Sequence, residues 1–557
     1  MPAPAPGLQS ISDLTTTSRI TTGDIPPPLV GATMTILDDK LYLFGGRLIQ
    51  TRHMTNSLYI LHLEEFRWEN VSEINEMSAP PAERYFHSAN SYKNLIVFFG
   101  GMGPSPTSTD IEQQDLVVFD DIKVLDLEFL QWRQVRIPSS PYAPKPRYAH
   151  LSSVSGNKLV VIGGQDIANQ YIEEINVLDL DSWQWVASMP FDKHCGSYRS
   201  IAVSGSGQGS VIPQIGSELD QVMANPLSPT HPIYLYSNFN FTDVKRELQV
   251  LNPPQFQIQD HSHSMSGNLL PPGLRFPTGA IAGQHLLLSG TYLTHSQQTF
   301  SIWSLNLSSL VWTRIDTGSV FNSGSWNRGL LLESSNAYLV FGNRDRNLAD
   351  DYQNRQTNFE HVSIVDLEAF GIYQHPHTTM TQTAQELGLG LLNDPSMADF
   401  DILTIDGQRI PVNSSILAIR WPYFGSLLRE QEEAEAAGPS ESTNGSNECD
   451  PTLFNKRTLS LPEPYTVVLA FLQYLYTDHL VTAQQHHAQV LSQLLLLADM
   501  YGLDRLRELA THALHQMLNM STAAMVYETA ALSQQTGLQI RSLKVMIAAK
   551  KMLQQQQ

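Results

Sequence analysis

Three times in its first third the chain ends an apolar run in two glycines: Leu43-Phe44-Gly45-Gly46, Phe98-Phe99-Gly100-Gly101 and Val161-Ile162-Gly163-Gly164. Each pair is followed by a second apolar run and a tryptophan: 58–63 with Trp68, 122–127 with Trp132, 175–180 with Trp185. Matching motifs precede the second and third pairs, Arg84-Tyr85-Phe86-His87 and Arg147-Tyr148-Ala149-His150. Such recurrence marks a repeat protein, in which each unit buries its apolar face against the next. Short alternating runs broken by Gly, Pro and Asn are strands. Glycines at a strand end permit a sharp turn and close approach of a neighbouring backbone. The tryptophan supplies the apolar area between units.

The spacings from Gly45 to Gly100 and on to Gly163, 55 and 63 residues, lie near the roughly 50-residue kelch period. With the matched Arg, His, Gly and Trp positions, the chain resembles the Kelch family, whose repeat is one four-stranded blade of a β-propeller. Two later copies follow. Residues 272–316 carry Arg275, Leu287-Leu288-Ser289-Gly290 and Trp312, and 324–374 carry Arg328, Val340-Phe341-Gly342-Asn343 and Tyr373. Thr291 and Asn343 replace the second glycine. Asn tolerates a left-handed backbone and Thr does not, so the fifth copy is expected to turn differently. Residues 196–260 retain strand patterns at 200–203, 233–236 and 248–251 and read as an irregular fourth blade, giving six. Residues 10–22 are strand-like and are expected to close the last blade, removing an exposed sheet edge.

From about residue 380 the periodicity turns helical. A short helix at 384–392 ends at Asn393-Asp394-Pro395, and 400–405 and 409–412 form a hairpin around Asp406-Gly407. A helix containing Ile416, Leu417 and Ile419 leads to Trp421-Pro422-Tyr423-Phe424. This stretch resembles a BTB domain, and the resemblance resumes at 459–463, 471–477 and 494–503. Val412-Asn413-Ser414 replaces the Ala-His-Lys usual in that family, and 431–456 is an insertion rich in Glu, Ala, Gly, Ser and Asn, read as a solvated, disordered loop. The tail resembles the beginning of a BACK extension. The expected fold class is a mainly β, six-bladed Kelch propeller followed by an α/β BTB domain with a helical BACK-like extension. The expected limits are 1–25 for an N-terminal segment, 26–376 for the propeller, 377–515 for the BTB domain and 516–557 for the tail.

Composition narrows the function. Among 557 residues, 54 acids outnumber 34 Lys and Arg, for a net charge of −20. No basic stripe serves nucleic acid, and no apolar run reaches membrane-spanning length. Two cysteines, Cys195 and Cys449, are too few for a disulfide framework or a structural zinc site. The pairs His261/His263 and His375/His377 lack companion ligands and read as solvated loop histidines. Ser204 to Gly209 is glycine-rich but lacks the Lys-Ser/Thr of a phosphate loop. No catalytic constellation, cofactor or metal is expected, and the expected location is the cytoplasm.

The candidate sites are therefore surfaces for other proteins. Arg84, Arg147, Arg275 and Arg328 either present guanidinium groups to the central channel for an acidic peptide or make structural hydrogen bonds to loop carbonyls. The long loops 102–121, 165–173, 205–231 and 343–360 are candidate partner-binding segments. In the BTB-like part, Leu428-Arg429-Glu430 follows Tyr423 and Phe424. Kelch-like ubiquitin-ligase adaptors carry a hydrophobic-x-Glu motif here, so the resemblance implies cullin docking through Tyr423, Phe424, Leu428 and Glu430; the alternative is that the motif merely ends a helix. It also implies a homodimer, through Leu387, Leu391 and Asp401. The propeller-first order is similar to leucine-zipper-like transcriptional regulators and to fungal Kelch-BTB regulators of Ras signalling, morphogenesis and sporulation. Two functions follow: an adaptor that brings a propeller-bound protein to a cullin ligase, or a signalling and polarity scaffold without ubiquitin transfer.

Overall fold

The computed structural model describes residues 11–72, 80–105, 115–205, 231–239, 243–293, 298–436, 454–455 and 458–555. The chain divides into two compact units, Met1–Gln374 and His375–Gln557.

In the first unit the alternating segments form antiparallel sheets. Six sheets of four or five strands occur among the described residues, their consecutive strands spanning 33–70, 88–133, 151–190, 200–260, 275–315 and 325–366. Apolar cores lie between each sheet and the next. Trp132 packs 5.0 Å from Phe44 and 5.3 Å from Phe98, joining the first two sheets. Trp185 lies 5.7 Å from Phe99, and Trp312 lies 5.3 Å from Tyr236. Fully buried Trp68 packs against Phe341 and Phe359 from the last part of the unit, so the first sheet meets the sixth. Strand β1 (Thr16–Ile20) pairs antiparallel with His361–Asp366 and completes the sixth sheet. That strand would otherwise end the ring with unpaired N–H and C=O groups.

The diglycines and their degraded copies behave differently. In the first three copies the strands stop at Phe44, Phe99 and Ile162, and both following glycines have positive φ. In the fifth copy the strand runs on through Gly290 and Thr291 to Leu293; in the sixth, Ala337–Asn343 includes Gly342 and Asn343. Asn343 is thus extended rather than left-handed. Losing the second glycine lengthens the strand in both copies.

The second unit opens with α2 (Gln382–Leu392), capped by the Thr381 hydroxyl. The hairpin Phe400–Leu403/Arg409–Val412 takes Thr458–Ser460 as a parallel neighbour. Helices α3 (Ser414–Arg420), α4 (Pro422–Ala436), α5 (Tyr465–Thr477), α6 (Ala488–Met500) and α7 (Asp504–Met517) surround one core that includes Ile402, Leu417, Trp421, Phe471 and Leu494. Two further helices, α8 (Ala523–Leu532) and α9 (Thr536–Gln555), add Val526, Ala530 and Leu538 to the same core. The insertion read as a loop begins instead as helix: Gln431 to Ala436 extend α4, as expected of strong helix formers. Residues 437–453 of that insertion, Cys449 among them, lie outside the described residues. His375 is half-buried rather than solvated, its ring 4.7 Å from that of His512.

Gly388 lets α2 lie against α5. A Cβ there would stand 2.3 Å from the Tyr476 carbonyl oxygen, a backbone atom with little freedom to move. Gly388→Ala is expected to destabilise this unit by about 1–3 kcal/mol, read as a lower urea midpoint of the cooperative transition that covers α5.

Candidate protein-interaction surfaces

The repeated arginines separate into two groups. Arg84 is fully buried. Its Nε donates to Ala82 O at 3.0 Å, Nη1 to Gly100 O at 3.1 Å and Asp121 Oδ1 at 2.7 Å, and Nη2 to Asp121 Oδ2 at 3.0 Å. Arg147 repeats the plan, donating to Lys145 O and Gly163 O, both at 3.1 Å, to Glu174 at 3.0 Å and to Asn176 at 2.9 Å. Backbone bonds extend this chain of links: Gly46 N–H donates to Arg84 O at 2.8 Å and Gly101 N–H to Arg147 O at 2.9 Å. Each arginine thus joins the diglycine of one sheet to that of the next. Burial pushes the Asp121 carboxyl up, but the Arg84 hydrogen bond and charge prevail and hold it below the usual carboxylate range. With their donors spent inside the protein, Arg84 and Arg147 cannot receive an acidic peptide, and their place among partner-binding residues is corrected. Arg275 lies 5.1 Å from the Tyr352 ring. Of these four repeated arginines, Arg328 alone lines the central cavity.

A different arginine set frames a larger cavity of about 640 Å³. Helix α1 (Leu348–Asn354) starts with the Asn347 side chain accepting from Ala349 N–H at 2.7 Å and ends at Arg355 in the left-handed conformation, φ 55°. That ending places Arg355 in the wall of this cavity, with Arg47 and Arg52. The Arg47 guanidinium lies 5.4 Å from the Tyr85 ring, and its buried Nε has no hydrogen-bond partner among the described residues. Arg52 and Arg355 are exposed. Tyr85, Phe86 and Tyr148 add aromatic surface, and among the described residues no Asp or Glu lines the cavity. The lining draws on three of the four loops singled out from the sequence, 102–121, 165–173 and 343–360; most of the fourth, 206–230, is outside the described residues. Cations and aromatic faces without local carboxylates suit an anionic, partly apolar segment.

The central cavity is smaller, about 110 Å³, and shares Phe86 and Arg355 with the larger one. Loop residues cross-link around it: Phe86 N–H donates to Gly31 O at 2.8 Å, Ala149 N–H to Phe86 O at 2.9 Å and Ser197 N–H to Ala149 O at 2.9 Å. His87 and His150 are buried here, with Nε2 atoms 2.8 Å from Thr33 Oγ1 and Ser88 Oγ respectively. Burial and the nearby Arg147 lower the His150 pKa to about 3, and burial with Arg84 and His150 takes His87 well below its ordinary value. Both rings are neutral in the fold, whereas the unfolded chain protonates them near pH 6.5. Their contribution to stability is complete above that pH and is lost as pH falls below about 6.5, for His150 over the range down to about 3. Urea midpoints measured at pH 7 and pH 5 are expected to differ accordingly, with a flatter profile in His150→Asn.

In the second unit the anticipated cullin residues fall on one helix, α4. Phe424 is completely buried, 5.1 Å from Phe400 and 5.9 Å from Trp421, and belongs to the core, so it is corrected as a docking residue. Tyr423 is exposed, with its ring 5.3 Å from that of Tyr501. Leu428 is partly buried against the core and Glu430 is exposed. The helix continues to Ala436, so Leu428-Arg429-Glu430 does not end it. On α2, Leu387 is 64 % exposed while Leu391 packs partly into the core. Asp401 Oδ2 lies 3.5 Å from Arg409 Nη1 across its own hairpin.

Residues 8–205 match the KLHDC2/KLHL20/DRC7 Kelch-repeats domain, and residues 390–518 match the BTB/POZ domain. Protein ral2 of Schizosaccharomyces pombe is 32% identical over 594 residues, covering 96% of this chain and 94% of that protein. The chain belongs to the Kelch–BTB family of Protein ral2. Shorter similarities of this Kelch–BTB protein include Kelch domain-containing protein 2 of Bos taurus, 31% identical over 30% of this chain and 44% of that one. Kelch domain-containing protein 1 of Mus musculus is 27% identical over 32% and 46%. The Kelch match stops at 205, where the intact diglycine copies end. Both matched families are protein-interaction domains.

Sequence reasoning missed Arg47, Arg52 and Arg355 because it followed the repeat, and these three do not repeat. One signal was available: Arg47 directly follows the first diglycine, where Met102 and Gln165 follow the other two. Among the described residues of the Kelch–BTB chain, no group of three His, Cys, Asp or Glu could hold a metal, and no helix is long and apolar enough to cross a membrane.

Proposed function

We propose that this Kelch–BTB protein is a cytoplasmic regulator whose propeller holds an acidic segment of a partner protein between Arg47, Arg52 and Arg355, while its BTB unit dimerises and recruits a cullin-type ubiquitin ligase. The observation carrying this reading is the cavity itself, with three arginines, aromatic walls and, among the described residues, no lining carboxylate in a chain of net charge −20. Support for the BTB half is the exposure of Tyr423, Glu430 and Leu387 beside the half-buried Leu428. The probes are a fluorescent peptide with paired glutamates, the same peptide with glutamines, and a purified cullin N-terminal segment. The glutamate peptide is expected to bind, the glutamine peptide not, and the triple variant Arg47→Ala/Arg52→Ala/Arg355→Ala to weaken binding at least about tenfold. Leu428→Asp and Glu430→Lys are each expected to abolish cullin binding. Light scattering should give a dimer that Leu387→Asp dissociates.

A second reading is a scaffold in Ras signalling, polarity or sporulation without ubiquitin transfer. It is favoured by the propeller-first order and by the similarity to Protein ral2 along nearly the whole chain. Peptide binding without any cullin binding by the wild-type chain would select it.

A further inference from the structure

Arg328 stands on a strand, Ser325–Leu332, whose pairing skips a residue: Trp326 faces Gly342, and Arg328 faces Phe341. The extra residue, Asn327, makes a bulge, a device that re-aims neighbouring side chains. Arg328 and Asn327 both line the central cavity. Among the described residues, three buried nitrogens around it lack hydrogen-bond partners: Arg328 Nε, and Nδ1 of both His87 and His150. The carboxylate that also lines the cavity, Asp351, is already occupied. It accepts from Arg346 Nε at 2.9 Å and from Asn358 Nδ2 at 2.6 Å. Tyr338, whose hydroxyl shares a 2.9 Å hydrogen bond with Ser289, is kept protonated, because burial raises its pKa. A guanidinium stays charged in proteins, and a buried charge needs a counter-charge and hydrogen-bond acceptors.

We propose that the propeller channel binds a small monovalent anion, a halide or a formate-sized carboxylate, held by Arg328. Where the Thr33 and Ser88 hydroxyls donate to Nε2, His87 and His150 carry their protons on Nδ1, on two neutral rings that line the same cavity. The cavity of about 110 Å³ exceeds the roughly 10–15 Å³ that one water needs, leaving room for such an ion. This site is separate from the acidic-segment reading and stands whether or not that reading holds.

The test is crystallography of the full chain with bromide, paired with thermal unfolding in chloride against gluconate at equal ionic strength. An anomalous peak is expected at hydrogen-bond distance from the Arg328 guanidinium. Formate should displace it if the site takes carboxylates and leave it in place if the site is restricted to halides. Chloride should raise the unfolding midpoint by several degrees over gluconate, a shift abolished in Arg328→Gln and reduced in Arg328→Lys. Bromide found only on the surface, or an equal chloride shift in Arg328→Gln, would overturn the assignment. If Arg328→Gln does not fold, the wild-type bromide map and Arg328→Lys decide the matter.

Discussion

Arg84→Ala is expected to unfold or severely loosen the propeller, at a cost of about 3–5 kcal/mol, whereas Arg52→Ala should leave its stability within about 0.5 kcal/mol. Arg84 is completely buried and makes a two-pronged contact with Asp121 while also bonding Gly100 O. Alanine removes those bonds and opens a cavity beside Asp121, which keeps Lys123 at 3.4 Å. Arg84→Lys should restore only part of the loss, because an ammonium cannot reproduce the planar fork. Chemical denaturation followed by tryptophan fluorescence reports the effect directly, since Trp68, Trp132 and Trp185 lie between sheets. If Arg84→Ala matched the wild type in stability while losing peptide binding, the arginine would be a recognition residue after all.

Trp421→Ala should have a comparable effect on the second unit, about 3–5 kcal/mol. This side chain is fully buried at the junction of α3 and α4, 5.0 Å from Phe471, 4.9 Å from Tyr501 and 5.9 Å from Phe424. Its Nε1 is buried without a hydrogen-bond partner among the described residues. Trp421→Phe therefore loses volume but also relieves an unsatisfied donor, and should cost much less than alanine. Because Trp421 directly precedes the helix bearing Leu428 and Glu430, the alanine variant should also lose any cullin binding, with circular dichroism showing the accompanying loss of helix.

The parts legible in the sequence were those that local pattern controls. The strand–Gly-Gly–strand–Trp order located the sheets, since glycine and alternating apolar residues act over a few positions. The pocket was not legible, because Arg47 and Arg52 share one turn while Arg355 comes from the far end of the unit, and they meet only when the sheets close. Repetition itself misled: the recurrence of Arg84 and Arg147 looked like a recognition stripe, yet residues that recur once per blade serve what every blade needs. At Phe424, an aromatic within a family motif read as contact surface, and only the packing of Phe400 and Trp421 around it distinguishes core from interface.

The strand Thr16–Ile20 reaches its partner across almost the whole propeller: the hydroxyls of Ser18 and Ser363 are 2.8 Å apart although 345 residues separate them. On the ribosome, at roughly 5–20 residues per second, the first strand emerges tens of seconds before the segment it pairs with. Until then a sheet edge and the apolar faces around Trp68 have no native cover. A nascent chain of this design depends on chaperones or on slow collapse of its early blades, and a ribosome stalled before residue 361 would leave it sticky and open to proteolysis.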